Sequence, residues 1–245
     1  MSRFFVEPSQ VSEDGYITIT GTDVKHMKDV LRMNKGDEFT VCDSTGTEYS
    51  CSLDGFREGC AVCEILSQQA GDTEPKTPCV LLQGVPKGDK MELIIQKNIE
   101  LGVNRIIPVM MERSVVRFNN DKDKEKKWER WNRIALEASK QCGRLSVPMV
   151  EKPVTLKEAI SLVKDTDLKM VPYENEEDLR LKSLLRDKNP GSVAFIIGPE
   201  GGFAGSEVTL LKEAGFTTVS LGKRILRTET AGFAVMSAVR YELED

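Results

Sequence analysis

The sequence has little histidine, since His26 is the only one among 245 residues. Histidine is the side chain that most readily exchanges protons near neutral pH. This single copy lies in TDVKHMKDVLR, residues 22–32, a pattern that predicts a helix capped by Thr22 or Asp23. We therefore expect His26 to have a structural or surface role rather than a catalytic one.

Long apolar runs are also missing from the sequence. No segment approaches the roughly 18 consecutive apolar residues of a membrane-spanning helix, and the first ten residues, MSRFFVEPSQ, lack the apolar core of a secretory signal peptide. The composition, 40% hydrophobic and 30% charged, is ordinary for a soluble protein. We expect a cytoplasmic chain with one large domain or two modest ones.

Six cysteines are present, but only one close pair has the spacing of metal ligands. Cys60 and Cys63 are separated by two residues in a strand-like run, and no second pair lies near them in the sequence. A structural zinc site needs four convergent ligands, so reduced structural thiols are the favoured interpretation and no metal site is predicted. The other cysteines are Cys42, Cys51, Cys79 and Cys142.

The sequence also lacks an excess of positive charge. Its 34 basic and 39 acidic side chains give a formal net charge of −5. This balance argues against a protein that coats nucleic acid indiscriminately. The distribution is uneven, since residues 1–72 carry 6 basic and 13 acidic side chains whereas residues 73–150 carry 15 and 10. Part of the basic excess lies in the mixed run 122–133, which is typical of a solvated helix face. Basic side chains at or near the ends of predicted strands and helices suit phosphate contacts better. Four residues of this kind are Arg113, Arg117, Lys140 and Arg144.

The first 70 residues contain short alternating segments, such as YITIT and EFTVCDS, separated by turn signals. Such alternation predicts half-buried strands, and the set predicts a small β-barrel with one inserted helix. Residues 69–78, QAGDTEPKTP, are polar and contain proline, which predicts a linker. We therefore expect a barrel domain over residues 1–70.

Strand-like and helix-like segments alternate through residues 71–245. This pattern predicts an α/β domain with a mostly parallel sheet. Ligands of such sheets bind beyond the carboxyl ends of the strands, where the sequence has PYEN, GPEGG and GKRILRTETAG. The last of these carries apolar Ile225 and Leu226 between two arginines, so we expect that part of the loop to be buried.

The segment FIIGPEGGFAG, residues 195–205, joins an apolar strand to a glycine-rich loop and a helix that Ser206 can cap. A P-loop would need a lysine and a hydroxyl after its last glycine, but Ser206 and Glu207 stand there. A dinucleotide fingerprint would need an acid at the end of the next strand, but that strand ends in Leu221 and Gly222. By itself the loop is either a simple turn or a ligand site.

Two motifs near the end of the sequence carry a specific family resemblance. IIGPEGGFAGSE is followed by VSLGKRILRTETAGFAVMSA, and the pair resembles the carboxyl-terminal motifs of the SPOUT methyltransferases, specifically the ribosomal RNA uridine N3-methyltransferase (RsmE) family. The resemblance continues upstream through KGDKMELIIQKNIELGVNRIIPV and EASKQCGR. MSRFFV and HMKDVLRMNKGDEF resemble that family's PUA-like barrel. The resemblance therefore covers nearly the whole chain.

The resemblance implies a fold and a cofactor. Residues 71–245 would form the SPOUT domain with its trefoil knot, after a PUA-like RNA-binding barrel over residues 1–70. The knot loops would hold S-adenosyl-L-methionine, with its adenine against the backbone of Leu221, Gly222, Ile225 and Leu226 and its ribose and methionine parts near Gly198, Gly201 and Pro172. Further implied contacts are Tyr173, Ile197, Arg227, Thr230 and Ala231.

The implied reaction makes its own demands on the site. N3 of neutral uracil carries a proton, so the nitrogen is a poor nucleophile until that proton leaves. An arginine can stabilise the negative charge on the flanking carbonyl oxygens, and a carboxylate or water can accept the proton. Arg227 and Glu229 are the leading candidates and Glu200 is the third. For each, a salt bridge that only holds the loop is an equal alternative.

The resemblance also implies partners. The substrate would be 16S ribosomal RNA in the assembled 30S particle, with Arg3, Lys87 and Arg144 as RNA contacts and without a metal. The terminal segment TETAGFAVMSAVRYELE, apolar on more than one face, would join two copies into a homodimer. Two other functions stay open: an inactive RNA-binding module that retained the knot, and a nucleotide-dependent oxidoreductase that uses the glycine loop.

Overall fold

The structure is a computed structural model that describes residues 2–118, 120–186 and 188–244. The chain forms two compact units: the first holds the residues up to 74 together with 139–147, and the second holds 75–138 and the residues from 148 onward. The division predicted at residue 70 stays a prediction. Among the described residues, no helix combines the length and apolar character needed to cross a bilayer.

The first unit is built on a five-stranded sheet. Its strands are β1 (Arg3–Phe5), β2 (Tyr16–Ile19), β3 (Glu38–Cys42), β4 (Thr47–Arg57) and β5 (Cys60–Ala70). The spatial order is β1-β3-β4-β5-β2, in which β1 and β3 are parallel and the other pairs are antiparallel. The alternation of the sequence places one set of side chains in the core, including Ile17, Phe39 and Val41.

A short helical segment lies between β2 and β3. It consists of α1 (Thr22–Lys25) and a π-helical turn over His26–Val30. The predicted helix over residues 22–32 is therefore found in two parts, and its predicted caps are wrong because Gly21 occupies the cap position. His26 is exposed on this segment.

The second unit contains a parallel sheet. Its strands are β6 (Cys79–Gly84), β7 (Arg105–Met110), β8 (Met149–Val150), β9 (Val154–Thr155), β10 (Leu168–Pro172), β11 (Val193–Ile197) and β12 (Thr217–Val219). All pairs between them are parallel among the described residues, in the order β12-β10-β11-β6-β7-β8 with β9 beside β7. The predicted α/β class with a mostly parallel sheet is confirmed.

Six helices alternate with these strands in the described part of the second half. They are α2 (Lys90–Glu100), α3 (Asp121–Cys142), α4 (Leu156–Leu162), α5 (Leu181–Leu185), α6 (Gly205–Glu213) and α7 (Thr228–Leu243). Ser206, the predicted cap of α6, lies inside that helix, because Ala204 occupies the cap position. The Ala204 N–H donates instead to the Glu207 carboxylate at 2.9 Å, which satisfies a donor that the helix leaves unpaired.

The strand order brings three loops to one edge of the sheet. β10 lies between β11 and β12, and the parallel strands end at the same edge, so the loops that follow them are neighbours. β6 also approaches closely, because a Cβ on Gly84 would lie 2.6 Å from Pro199 Cδ. Glycine at this position therefore permits the contact. The trefoil knot stays a prediction.

Candidate active site

A cleft lies at this edge of the sheet, with a cavity volume of about 840 Å³. Its walls come from residues 172–180 after β10, residues 197–203 after β11 and residues 220–231 after β12, together with Lys90 of α2. Cavities of roughly 300–1,000 Å³ are typical of sites for small molecules and cofactors. The three loops singled out from the sequence therefore form a single candidate site.

The loop after β11, residues 198–204, is fixed by neighbouring elements. The Gly202 N–H donates to the Pro199 oxygen at 2.9 Å, which closes a turn. Arg113, in the loop after β7, donates from its guanidinium to the Gly201 oxygen at 3.0 Å. A Cβ on Gly201 would lie 2.9 Å from Arg113 Cβ. The glycine is therefore needed for this packing as well as for the turn.

Glu200 is held in place by two lysines. Its carboxylate accepts hydrogen bonds from Lys90 Nζ at 2.7 Å and from the Lys87 N–H at 3.1 Å. Burial alone would raise the pKa of Glu200, but these bonds and one from its own N–H hold that pKa below the ordinary value. A carboxylate stabilised in this way is a weak base, so its contacts favour a role in holding the loop.

The start of α7 is tied to the glycine loop through Thr228. Thr228 is 7% exposed, and its hydroxyl donates to the Gly198 oxygen at 2.6 Å. The same hydroxyl accepts a hydrogen bond from Gln83 Nε2 at 3.0 Å, and Gln83 belongs to β6. One side chain therefore links β6, the loop after β11 and α7, and it fixes the position of the residues on either side of it.

The loop after β12, residues 221–226, is held by fewer contacts. In the described structure, its one hydrogen bond runs from the Gly222 N–H to Ser220 Oγ at 3.3 Å. Ile225 is 85% exposed, so the predicted burial of this residue is wrong, and Leu226 is half-buried. The burial was predicted because a surface loop is usually polar. An exposed isoleucine beside a cleft can instead cover a bound ligand.

Arg227 and Glu229 flank Thr228, and both line the cleft. Arg227 is exposed. Glu229 Oε2 is buried and has no hydrogen-bond partner among the described residues. Because an unpaired buried carboxylate oxygen is costly, we expect a donor on a ligand to reach it. The two residues differ in this respect from Glu200, which is already paired.

The loop after β10 contributes acidic side chains that the sequence analysis missed. Glu174, Glu176 and Glu177 line the cleft. The Thr218 hydroxyl donates to Glu176 at 2.6 Å, and this bond is the largest cause of the lowered pKa of Glu176. Glu174 and Glu177 are exposed. The run ENEED directly after PY was the available signal, since acids that follow a strand end in such a fold face the site.

Most of the predicted site residues line the cleft. They are Pro172, Tyr173, Ile197, Gly198, Glu200, Leu221, Gly222, Ile225, Leu226, Arg227, Glu229 and Ala231. Gly201 and Thr230 are not among the lining residues, because Gly201 packs against Arg113 and Thr230 is exposed on α7. The individual roles stay predictions. Lining residues that the sequence analysis missed include Lys90, Arg180 and Phe203.

Family comparison agrees with both units of the structure. A model described as an RNA methyltransferase domain matches residues 73–240. The chain belongs to this RNA methyltransferase family. A second model, described as an RNA methyltransferase PUA domain, matches residues 19–54. The predicted PUA-like character of the first unit is therefore confirmed.

Full-length relatives narrow the family further. This methyltransferase is 37% identical to Ribosomal RNA small subunit methyltransferase E of Bacillus subtilis, with 100% of this chain and 98% of the relative covered. A crystal structure of the protein of that name from Neisseria gonorrhoeae, bound to S-adenosyl methionine, is 32% identical with a TM-score of 0.86 and coverages of 99% and 98%. A putative methyltransferase from Legionella pneumophila in complex with the same cofactor is 30% identical with a TM-score of 0.86 and coverages of 98% and 97%. The predicted family is confirmed, which sets the oxidoreductase alternative aside.

Two of the predicted RNA contacts of this methyltransferase lie in the first unit and are already paired. Arg3 contacts Glu48 at 2.6 Å. Arg144, whose side chain is 4% exposed, contacts Glu74 at 2.6 Å. Both arginines therefore join segments within the first unit, and Lys87 reaches Glu200 through its backbone. Contact of these three residues with RNA stays a prediction.

Proposed function

We propose that this RNA methyltransferase transfers a methyl group from S-adenosyl-L-methionine to N3 of a uridine in 16S ribosomal RNA. The observation that carries the proposal is the cleft at the carboxyl edge of the sheet, which is lined by Arg227 and by Glu229 with its unpaired oxygen. The names of the full-length relatives and the cofactor bound in two related structures support it.

The residues of the cleft fit this cofactor in size and in charge. The cavity of about 840 Å³ can hold a nucleoside joined to an amino acid. Glu174 and Glu177 suit the positively charged ammonium and sulfonium groups, and Lys223 and Arg224 suit the carboxylate. Gly222, with a φ of 108°, presents its backbone to an adenine without a side chain in between. When bound, the cofactor supplies an electrophilic methyl group on a good leaving group.

Arg227 and Glu229 have separate tasks at the base. The Glu229 carboxylate, which lines the cleft and whose Oε2 has no hydrogen-bond donor among the described residues, accepts the proton of N3. The Arg227 guanidinium donates hydrogen bonds to a neighbouring carbonyl oxygen, where negative charge develops as the proton leaves. Thr228 holds both residues at a fixed distance from the glycine loop through its bond to Gly198.

The protein is inferred to act as a homodimer on the assembled 30S particle in the cytoplasm, without a metal. α7 supports the dimer, because its exposed residues fall on one helical face and three of them are small enough for close approach of a second helix; they are Thr230, Ala234, Ser237 and Tyr241. The acidic first unit favours an assembled particle recognised by its shape over general affinity for RNA.

The direct test uses methyl-labelled cofactor and small ribosomal subunits that lack the modification. After incubation, the RNA is digested and its nucleosides are separated. We expect the label in N3-methyluridine, and heat-denatured enzyme as the control should give none. Label at carbon 5, at a ribose oxygen or on another base would contradict the N3 assignment. Cofactor binding without any transfer would instead favour an inactive RNA-binding module.

A further inference from the structure

Half of the basic residues of the first unit lie in one short segment. Residues 1–72 contain six basic side chains, and four of these lie between residues 25 and 35. The other two form ion pairs, Arg3 with Glu48 and Arg57 with Asp54, each at 2.6 Å. Lys140 and Arg144, the basic residues that 139–147 add to this unit, pair with Asp23 at 2.8 Å and with Glu74 at 2.6 Å. Among the described residues, the unpaired positive side chains of the unit therefore lie in this one segment.

This segment contributes almost nothing to the core. Of residues 25–32, only Met27 is buried, at 0% exposure, and the other seven are exposed. They include Val30 at 66% and Leu31 at 38%. A helical segment anchored by one buried side chain is not explained by packing within its own unit. We call residues 25–32 the cationic ridge.

The backbone of the cationic ridge is unusual at two points. His26–Val30 is π-helical, and the Leu31 N–H donates to the His26 oxygen at 2.9 Å. Arg32, the residue after Leu31, has a φ of 53°, which lies in the left-handed region that favours glycine. π-Turns and strained non-glycine residues are both enriched at functional sites.

The cations of the cationic ridge are not neutralised within the unit. Lys25, Lys28 and Arg32 form no ion pair with the described residues, and Lys28 Nζ instead lies 5.8 Å from the centre of the Phe56 ring. Asp29 is the single acid on the ridge. By contrast, Lys35 is paired with Asp54 at 2.8 Å. Three cations against one carboxylate leave the ridge with net positive charge.

We propose that the cationic ridge binds the phosphate backbone of the substrate RNA. The inference rests on the proposed function and names the surface of the first unit that docks the RNA. Lys25, Lys28 and Arg32 contact phosphates, which position the RNA without reading its sequence. The exposed apolar side chains of Val30 and Leu31 contact sugar and base surfaces between those phosphates. The surrounding acidic surface of the unit repels RNA and thereby confines docking to the ridge.

The test removes the three charges without disturbing the backbone. Lys25 and Lys28 are changed to Gln, and Arg32 to Asn, because Asn tolerates the left-handed conformation. Methyl transfer to small subunits is measured against salt concentration. We expect the KM for the particle to rise about tenfold or more, and the slope of log KM against log salt to fall by about 2 to 3, as three phosphate contacts are lost. Maximal turnover and cofactor affinity should not change.

Lys35→Gln is the matched control, since its lysine lies next to the ridge but is already paired with Asp54, which keeps Arg57 as a partner. The proposal is overturned if the triple variant has the same KM and salt slope as this control. It is also overturned if the triple variant loses affinity for the particle but keeps full affinity for protein-free 16S RNA, because a ribosomal protein would then be the partner.

The single variant Arg32→Asn serves as the test if the triple variant unfolds, and it is expected to lower the slope of log KM against log salt by about 1. Absence of methyl transfer by the unmodified protein would reject the proposed function, and binding of the RNA would still test the ridge.

Discussion

Two walls of the same cleft are built in opposite ways. The glycine loop after β11 is bound by Arg113, Lys90 and Thr228, which belong to three other parts of the chain. The loop after β12 has one hydrogen bond over residues 221–226 in the described structure, and it exposes Ile225. The first wall is organised before a ligand arrives, whereas we expect the second wall to gain most of its contacts from the ligand.

The difference indicates a division of labour in the site. A preorganised wall loses little conformational entropy on binding, so it can fix the geometry of the reacting groups. A wall with few contacts of its own can admit the cofactor and then close over it. Substitutions in the two walls should therefore affect affinity, turnover and stability differently.

Arg227→Ala should have the largest effect. Arg227 stands where the loop after β12 meets α7, and in the proposed mechanism its guanidinium stabilises the negative charge on the base. We expect turnover to fall by roughly 10² or more while cofactor affinity stays within about tenfold. Turnover at saturating substrates and calorimetry with the cofactor measure the two quantities. Arg133→Ala, which removes an exposed arginine of α3 that does not line the cleft, should retain turnover. Near-normal turnover of Arg227→Ala would remove this residue from the mechanism.

Thr228→Val tests the wall formed by the glycine loop after β11, which we call the fixed wall. It keeps the shape of the side chain but removes the hydroxyl that pairs with Gly198 and Gln83, which leaves a buried acceptor and a buried donor unpaired. The free energy of unfolding should fall by about 2 kcal/mol, and cofactor affinity should fall by about tenfold because the glycine loop is displaced. Thr228→Ser, which keeps the hydroxyl, should remain within about threefold of the unmodified affinity. If Val and Ser behave alike, the hydroxyl does not organise this wall.

Ile225→Ala tests the wall formed by the loop after β12, which we call the open wall. Because Ile225 is exposed in the free protein, the free energy of unfolding should change by less than about 0.5 kcal/mol. Cofactor affinity should nevertheless fall by about three- to tenfold, since the isoleucine becomes buried only against the ligand. Val115→Ala is the control, because Val115 is also exposed, at 67%, but does not line the cleft. Equal affinities of the two variants would mean that the open wall does not close.

The smallest effect concerns the pH dependence of the fixed wall. The pKa of Glu200 is lowered in the folded protein, so its bonds to Lys90 and Lys87 stabilise the fold above the ordinary pKa of the carboxyl. This contribution is lost as the pH falls through the lowered folded pKa. The unmodified protein should exceed Glu200→Gln in stability by about 1 kcal/mol or less at pH 7, and the difference should fade in acid. Denaturant unfolding at several pH values measures it; a difference that grows in acid would reverse the assigned sign.

Much of the fold was predictable from local pattern. Alternation over residues 16–70 predicted the strands of the first unit, and alternating strand and helix segments predicted the parallel sheet of the second. The three loops of the cleft could be predicted because parallel strands end at one edge. The identity of the family came from the paired motifs at the end of the chain. Periodicity alone would not have supplied it.

The finer structure of the site depended on contacts between residues far apart in the sequence. Arg113 meets Gly201 across 88 positions, and Thr228 meets Gln83 across 145, so no local pattern could predict either bond. Ile225 was expected to be buried because it is apolar, yet nothing in its own loop covers it. Arg144 was predicted to contact RNA from its position near an element end and from the family resemblance; the structure adds its ion pair with Glu74 at 2.6 Å, which no local pattern indicated.

Amide hydrogen exchange with and without S-adenosyl-L-methionine tests most directly whether this cleft holds the cofactor between one fixed and one open wall. We predict that the Gly202 amide, which is bonded to the Pro199 oxygen, exchanges slowly in the free protein and changes little, while most amides of residues 221–227 exchange rapidly and become protected when the cofactor is added. Protection that appears away from the cleft, or equal protection of both loops before the cofactor is added, would contradict the account.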